Sequence, residues 1–135
     1  MEFECITYRR DVPKNRKGLI QAYHSASQSK LIVTFRTLAQ AKLLKEMILA
    51  ENIPCFEVKA STIKSTSEIL NRFFTMSGIL LVNSNIIAHG CDLSKCATML
   101  VWENPGPIQV QNQLIARINR KGQLYPVQIF DAIES

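Results

Sequence analysis

Several sequence features that would assign this chain to a common class are missing from its 135 residues. No apolar run approaches the roughly 20 residues of a membrane-spanning helix, and the first residues do not resemble a signal peptide. The four cysteines (Cys5, Cys55, Cys91 and Cys96) form no C-x-x-C pair, and no histidine stands at the spacing of a zinc site. We therefore expect reduced thiols, no metal site and no membrane contact in an intracellular protein, either cytoplasmic or nuclear.

Two motifs of nucleotide hydrolases are also absent. The sequence has no G-x-x-x-x-G-K-[ST] loop, which would cradle phosphates, and no D-E-x-x pair, which would hold Mg²⁺. Hydrophobic residues make up 47% and charged residues 20% of the chain, as is typical of one compact globular domain. The isolated chain should therefore bind neither ATP nor Mg²⁺ and should show no ATPase activity.

The basic charge of the chain is a modest indication of a polyanionic partner. The net charge is +5 and the isoelectric point is near 9.2, although a solvated basic surface explains these values equally well. The basic residues concentrate towards the two ends of the sequence, at Arg9, Arg10, Lys14, Arg16 and Lys17, and at Arg117, Arg120 and Lys121.

Helical and extended patterns alternate along the chain, which predicts an α/β fold with a mainly parallel sheet between two layers of helices. The predicted strands cover residues 31–35, 55–58, 79–82, 98–102 and 127–130. The predicted helices cover residues 15–28, 37–50 and 65–74, and a last helix begins near Pro107. We assign residues 15–135 to one domain and interpret residues 1–14 as an N-terminal extension.

The last predicted helix carries two arginines at a spacing that suits phosphate chemistry. Gln113, Arg117 and Arg120 are separated by four and three residues, so on a helix they share one face. Gly122 then provides a helix stop. Two guanidinium groups on one rigid helix suit a triphosphate, whose transferred phosphoryl oxygens need positive charge in the transition state. For an isolated R-x-x-R pair, a solvated basic helix face is the alternative.

This stretch resembles motif six of the superfamily-two helicases and translocases, in the Swi/Snf-type form Q-x-x-x-R-x-x-R-x-G-Q. Upstream, Ser84 at the end of a predicted strand, together with Gly90 and Asp92, resembles motif five of the same family. Residues 31–35, followed by Arg36 and Thr37, resemble motif four. The resemblance runs from about residue 31 to residue 130, with the motifs in the order of the family.

The resemblance implies a fold and an ATP site. The chain would be the carboxy-terminal RecA-like lobe, a three-layer α/β sandwich, of a two-lobed helicase or translocase. The missing phosphate loop and acidic pair belong to the first lobe in this family, so ATP and Mg²⁺ would bind only with a complementary first lobe, in cis or on a partner chain. Arg117 and Arg120 would stabilise charge on the γ-phosphate, Gln113 would orient them, and Gly90 and Asp92 would join the cofactor site.

The resemblance also implies nucleic-acid contacts, with DNA in preference to RNA. Arg36, Thr37 and Ser84 would contact the sugar-phosphate backbone. Each has a purely structural alternative, since Thr37 can cap a helix and Ser84 can simply follow a strand. We expect Ser84, Arg117 and Arg120 to lie on one exposed edge of the sheet.

Three functional interpretations remain open. The first is a lobe of an active helicase, and the second is a non-catalytic single-lobe module that binds nucleic acid or regulates a partner helicase. The third is an unrelated α/β enzyme with a flavodoxin-like sheet, which the absence of a glycine-rich phosphate loop disfavours. The sequence does not distinguish a fragment from a natural single-lobe protein.

Overall fold

A six-stranded parallel sheet lies at the centre of the computed structural model, which describes residues 7–58, 66–84 and 92–134. The strand order is β1-β6-β5-β2-β4-β3, and every neighbouring pair is parallel. The strands are β1 (Thr7–Pro13), β2 (Lys30–Phe35), β3 (Cys55–Val58), β4 (Gly78–Asn83), β5 (Thr98–Val101) and β6 (Val127–Ile133). The helices within the described ranges are α1 (Arg16–Ser25), α2 (Leu38–Ala50), α3 (Thr66–Thr75) and α4 (Ile108–Ile118).

Alternating side chains of the strands form two separate cores, one on each face of the sheet. On β2, Leu31 and Val33 pack in a cluster with residues of α1 and α2, whereas Ile32 packs in a cluster with residues of α3 and α4. Because side chains alternate between the faces of a strand, helices must cover both faces. The predicted three-layer, RecA-like α/β fold is therefore confirmed.

The edge strand β1 was not indicated by the sequence, which suggested an extension over residues 1–14. Residues 7–13 instead pair along their whole length with β6. Val12 is the buried apolar side chain of this strand, and Arg9 donates two hydrogen bonds, of 3.1 and 2.7 Å, to the Asp131 carboxylate on β6. Strand β1 is held mainly by its backbone hydrogen bonds to β6 and by this ion pair. Its sequence therefore lacks the alternation of apolar and polar residues that would indicate a strand.

The junction between β1 and α1 is tightly packed. The side chain of Asn15 accepts a hydrogen bond of 3.0 Å from the amide of Gly18 and so caps the helix. A Cβ atom on Gly18 would lie 1.8 Å from the carbonyl oxygen of Pro13, so only glycine fits at this position. This close approach fixes the angle at which the chain leaves the sheet edge.

Helix α4 ends earlier than the sequence predicted. Its last residue is Ile118, and the amide of Asn119 closes the helix on the carbonyl of Ile115 at 2.8 Å. Arg117 therefore lies in the last turn, whereas Arg120 lies in the turn that follows, so the predicted single helix face does not hold for Arg120. Within the described part of the chain, no helix has both the length and the apolar character to cross a membrane.

Candidate functional site

The predicted site residues lie at two opposite edges of the sheet. Arg36 and Thr37 directly follow β2, and Ser84 directly follows β4, so all three lie at the carboxyl edge. At the other edge, the amide of Leu93 donates to the carbonyl of Arg117 at 3.0 Å, and Leu93 belongs to the segment that enters β5. The expectation of one shared edge is therefore wrong. Helix α4 runs antiparallel to β5, so its last turn lies at the amino edge of the sheet.

Arg117 and Arg120 differ in their surroundings at the amino edge. The Arg117 side chain is half-buried in the last turn of α4. The Arg120 side chain is 42% exposed, and its Nε lies 4.0 Å from Oδ1 of Asp92. An ion pair this long and this exposed contributes little to stability, so Arg120 can turn towards an incoming ligand at small cost.

Asp92 combines a structural role with this contact. Its Oδ1 accepts a hydrogen bond of 2.9 Å from the amide of Ser94, which forms an Asx turn. Hydrogen bonds from the backbone and side chain of Ser94 hold the pKa of Asp92 below its usual value, and the charges of Arg120 and Lys95 lower this pKa further. The carboxylate therefore stays ionised beside Arg120 at neutral pH.

Gln123, the last residue of the motif-six pattern, has a structural role that sequence reasoning missed. Its Nε2 donates to the carbonyls of Cys96 at 3.0 Å and Ile118 at 2.9 Å, and its Oε1 accepts from the amide of Tyr125 at 3.2 Å. Gly122 precedes it with a φ of 102°, which glycine adopts without strain. Gln123 thus connects the turn that carries Arg120 to the segment that precedes β5 and to the end of α4.

The remaining predicted members of the amino-edge site are only partly placed. Gln113 is exposed on α4, one helical turn before Arg117. Gly90 lies outside the described residues. Of the four cysteines, Cys55 and Cys96 are free thiols, whereas Cys5 and Cys91 lie outside the described ranges. Burial raises the pKa of Cys55 to about 11 and of Cys96 to about 12, so both stay protonated and unreactive.

At the carboxyl edge, Thr37 is the N-cap of α2, as its alternative interpretation predicted. Its hydroxyl oxygen accepts from the amide of Gln40 at 3.4 Å. The side chain of Gln40 does not return to Thr37, as a full capping box requires, but accepts from Nε1 of Trp102 at 2.8 Å. The amides of Arg36 and Thr37 donate instead to the carboxylate of Glu103, at 2.8 and 3.0 Å.

Ser84 does not lie on an exposed surface. Its side chain is 1% exposed, and its hydroxyl has no hydrogen-bond partner among the residues that the structure describes. Thr34, on the same face of the neighbouring strand β2, is buried in the same way. The alternation of β4 explains this position, because Ser84 follows Leu80 and Val82 on the face covered by α3 and α4.

The sequence matches a family model described as the helicase conserved C-terminal domain over residues 14–122. The chain belongs to this helicase domain family. Among solved structures, it resembles the C-terminal part of the Fun30 ATPase domain, with a TM-score of 0.70 at 15% sequence identity. The match covers 78% of this chain and 35% of that chain, so this chain spans about a third of the length of the solved one. None of the curated proteins matches the sequence.

The helicase family implies two ligands, ATP and Mg²⁺. The side chains at the amino edge suit the phosphates of ATP but not the metal ion. Arg117 and Arg120 present guanidinium groups, which bind phosphate oxygens but not metal ions. Within residues 7–58, 66–84 and 92–134, no group of three or more histidines, cysteines or acidic residues could hold a metal ion. The two arginines therefore suit phosphate oxygens rather than a metal ion.

Proposed function

We propose that this helicase domain is the second RecA-like lobe of an ATP-dependent nucleic-acid helicase or translocase of the Swi/Snf-like type. ATP and Mg²⁺ bound on a first lobe would supply the reacting phosphoryl group. Arg117 and Arg120 would add positive charge beside the γ-phosphate, with Gln113 and Asp92 orienting them. The first lobe, in the same protein or on a partner chain, would supply the phosphate loop and the acidic pair that this sequence lacks.

The observation that carries this proposal is the exposed turn at the end of α4. Arg120 lies in this turn at the amino edge, and Gln123 fixes the turn by its hydrogen bonds to two carbonyl oxygens. A guanidinium on a rigid support can meet phosphate oxygens without reorganising its own domain, which is the requirement for electrostatic stabilisation of a transition state.

The carboxyl edge is the proposed contact for nucleic acid. Arg36 is exposed there, and its Nη1 lies 3.4 Å from the carbonyl oxygen of Asn104, a weak contact that a phosphate can replace. Thr37 contributes a backbone amide and a hydroxyl group. Because Ser84 is buried, its part would be to position this edge rather than to contact the nucleic-acid backbone itself.

The test of the ATP role needs a complementary first lobe, supplied in cis or as a partner chain. Arg117→Ala and Arg120→Ala should each lower ATP turnover by about 10³-fold, in line with losses of arginine fingers in phosphoryl transfer. Replacement by lysine should restore only part of the rate, because an ammonium group lacks the planar fork that fits phosphate oxygens. Lys121→Ala removes the same charge from the same exposed turn and is the matched control.

Two results would contradict the catalytic assignment. One is ATP turnover at the parental rate in the arginine variants of the two-lobe assembly. The other is an equal loss in Lys121→Ala, which would reduce the effect to general surface charge. The first outcome favours the non-catalytic single-lobe module, which the sequence left open.

The test of the nucleic-acid role is a salt series. The domain should bind a labelled DNA duplex without sequence preference, with a dissociation constant of about 10⁻⁴ to 10⁻⁶ M near physiological salt. Fluorescence anisotropy should show that affinity falls steeply as salt rises, and Arg36→Ala should reduce both the affinity and the salt dependence. Binding that is independent of salt would contradict contact with the phosphate backbone, and an RNA duplex in parallel decides between the two nucleic acids.

A further inference from the structure

Glu103 places a carboxylate in the turn between β2 and α2, where the proposed function puts nucleic-acid phosphate. Its Oε1 accepts from the amide of Arg36 at 2.8 Å and from the amide of Thr37 at 3.0 Å. The hydroxyl of Thr37 also reaches this carboxylate, at 3.2 Å from Oε1. Because that hydroxyl oxygen already accepts from the amide of Gln40, its proton is available for Glu103.

The position of Glu103 is fixed by the residue before it. The backbone amide of Trp102 donates to the carbonyl of Thr34 at 3.1 Å, and the indole Nε1 of Trp102 donates to Gln40 at 2.8 Å. Trp102 is 2% exposed and packs in the core beneath α1 and α2. Glu103 therefore approaches the turn from a rigid support, 66 residues away from Thr37 in the sequence.

The contacts of Glu103 are those that a phosphodiester would need. A phosphate oxygen at this turn would accept from the same two amides and the same hydroxyl, because both groups are anionic acceptors of similar size. The two anions cannot occupy the turn together, since they would compete for each donor and repel each other. Nucleic acid can use these donors only after the carboxylate has moved away.

We infer that Glu103 is an internal competitor of nucleic-acid phosphate at the turn formed by Arg36 and Thr37, and that it sets the affinity of this edge. This inference rests on the proposed function, because it concerns the same contact with the sugar-phosphate backbone. Glu103 lowers the affinity of the domain for isolated nucleic acid. When a duplex binds, one of its phosphates displaces the carboxylate and accepts hydrogen bonds from the amides of Arg36 and Thr37 and from the Thr37 hydroxyl.

Two substitutions of Glu103 separate its charge from its hydrogen bonds. Glu103→Gln keeps an acceptor for the amides but removes the charge, and Glu103→Ala removes both. Glu51→Gln is the matched control, because Glu51 lies at the opposite end of α2, where it pairs with Arg16. It changes the net charge by the same amount without touching the turn, and melting curves of all three variants would establish that each is folded.

Fluorescence anisotropy with a short labelled DNA duplex of mixed sequence is the first measurement. Glu103→Ala should bind about tenfold more tightly than the parent at low salt, since it frees charge-assisted donors for a phosphate. The slope of log affinity against log salt should stay close to that of the parent, because the freed donors are neutral amides and a hydroxyl and release no further counterion. Glu103→Gln should fall between the two proteins, and Glu51→Gln should keep the parental slope.

The second measurement uses inorganic phosphate as the probe and does not depend on nucleic acid. In ¹⁵N-labelled protein, phosphate should shift the amide resonances of Arg36 and Thr37 in Glu103→Ala in a saturable way, and should leave them nearly unmoved in the parent. The absence of such shifts in Glu103→Ala would overturn the inference, because the amides would then form no anion site. Intrinsic fluorescence of Trp102, the one tryptophan of the chain, provides a parallel signal next to the turn.

The outcomes distinguish this inference from the proposed function. If the parent binds DNA with the expected salt dependence but Glu103→Ala binds no better than Glu51→Gln, the competition is refuted and the nucleic-acid role stands. If no variant binds DNA or RNA at low salt, the nucleic-acid role fails. If phosphate still shifts the amide resonances of Arg36 and Thr37 in that case, Glu103 only satisfies the donors of the turn and does not regulate nucleic-acid binding.

Discussion

Replacement of the partly buried Gln123 by alanine should destabilise the domain. Gln123 makes three side-chain hydrogen bonds, two of them to the carbonyls of Cys96 and Ile118. A neutral hydrogen bond contributes about 0.5–1.5 kcal/mol net, so the loss of all three should lower the free energy of unfolding by about 2–3 kcal/mol. For a domain of this size, we expect a decrease in Tm of about 8–12 °C.

Two further variants test the hydrogen bonds rather than the loss of a side chain. Gln123→Glu keeps the shape of the side chain, but its carboxylate cannot donate to either carbonyl and would face two acceptors. It should therefore be at least as destabilising as alanine at neutral pH. Gln113→Ala makes the same chemical change on the exposed face of α4 and should stay within about 0.5 kcal/mol of the parent.

Thermal melting followed by circular dichroism, with urea denaturation at 25 °C as the second method, measures these differences. Equal melting temperatures for Gln123→Ala and Gln113→Ala would refute the structural role of Gln123. In the two-lobe assembly, Gln123→Ala should lower ATP turnover less than Arg120→Ala does at temperatures where both are folded. A loss as large as that of Arg120→Ala would instead indicate a direct contact of Gln123 with the nucleotide.

Three other variants or measurements follow from the structure. Gly18→Ala should cost about 3 kcal/mol in urea denaturation, because its Cβ would lie 1.8 Å from the carbonyl oxygen of Pro13; full stability would contradict the packing of β1. Asp92→Asn should lower Tm by its full amount above the ordinary aspartate pKa of about 4, and this difference should disappear as the pH falls through the lower pKa that Ser94 gives Asp92 in the folded state. The isolated chain should release no phosphate from ATP, and turnover that disappears in Arg117→Ala would reveal an unrecognised nucleotide site.

The central part of the fold could be predicted because its strands are buried on both faces. Such strands are continuous apolar runs, and the predicted strands at residues 31–35 and 79–82 agree with β2 and β4 to within one residue at each end. The start of α2 was also predicted, because a threonine cap is a local signal. These features depend on neighbouring residues alone.

The parts that sequence reasoning missed depend on distant residues. Strand β1 is held by pairing with β6 and by the ion pair of Arg9 with Asp131, which lie 122 residues apart. The contact of Glu103 with the β2–α2 turn likewise crosses 66 residues, and nothing in the sequence near Glu103 indicates it. Gln123 matched a family pattern, but the two carbonyls that it binds became visible only in three dimensions.

The placement of the two sites on opposite edges follows from a rule that the sequence already contained. A helix that connects two parallel strands must run back along the sheet, so its first residues lie at the carboxyl edge and its last residues at the amino edge. The 11 residues of α4 span about 16 Å, from the segment that carries Glu103 to the turn that carries Arg120. Nucleic acid at one end and ATP at the other therefore need not compete for space. One rigid helix lies between the two contacts, which the proposed function requires to act in the same cycle.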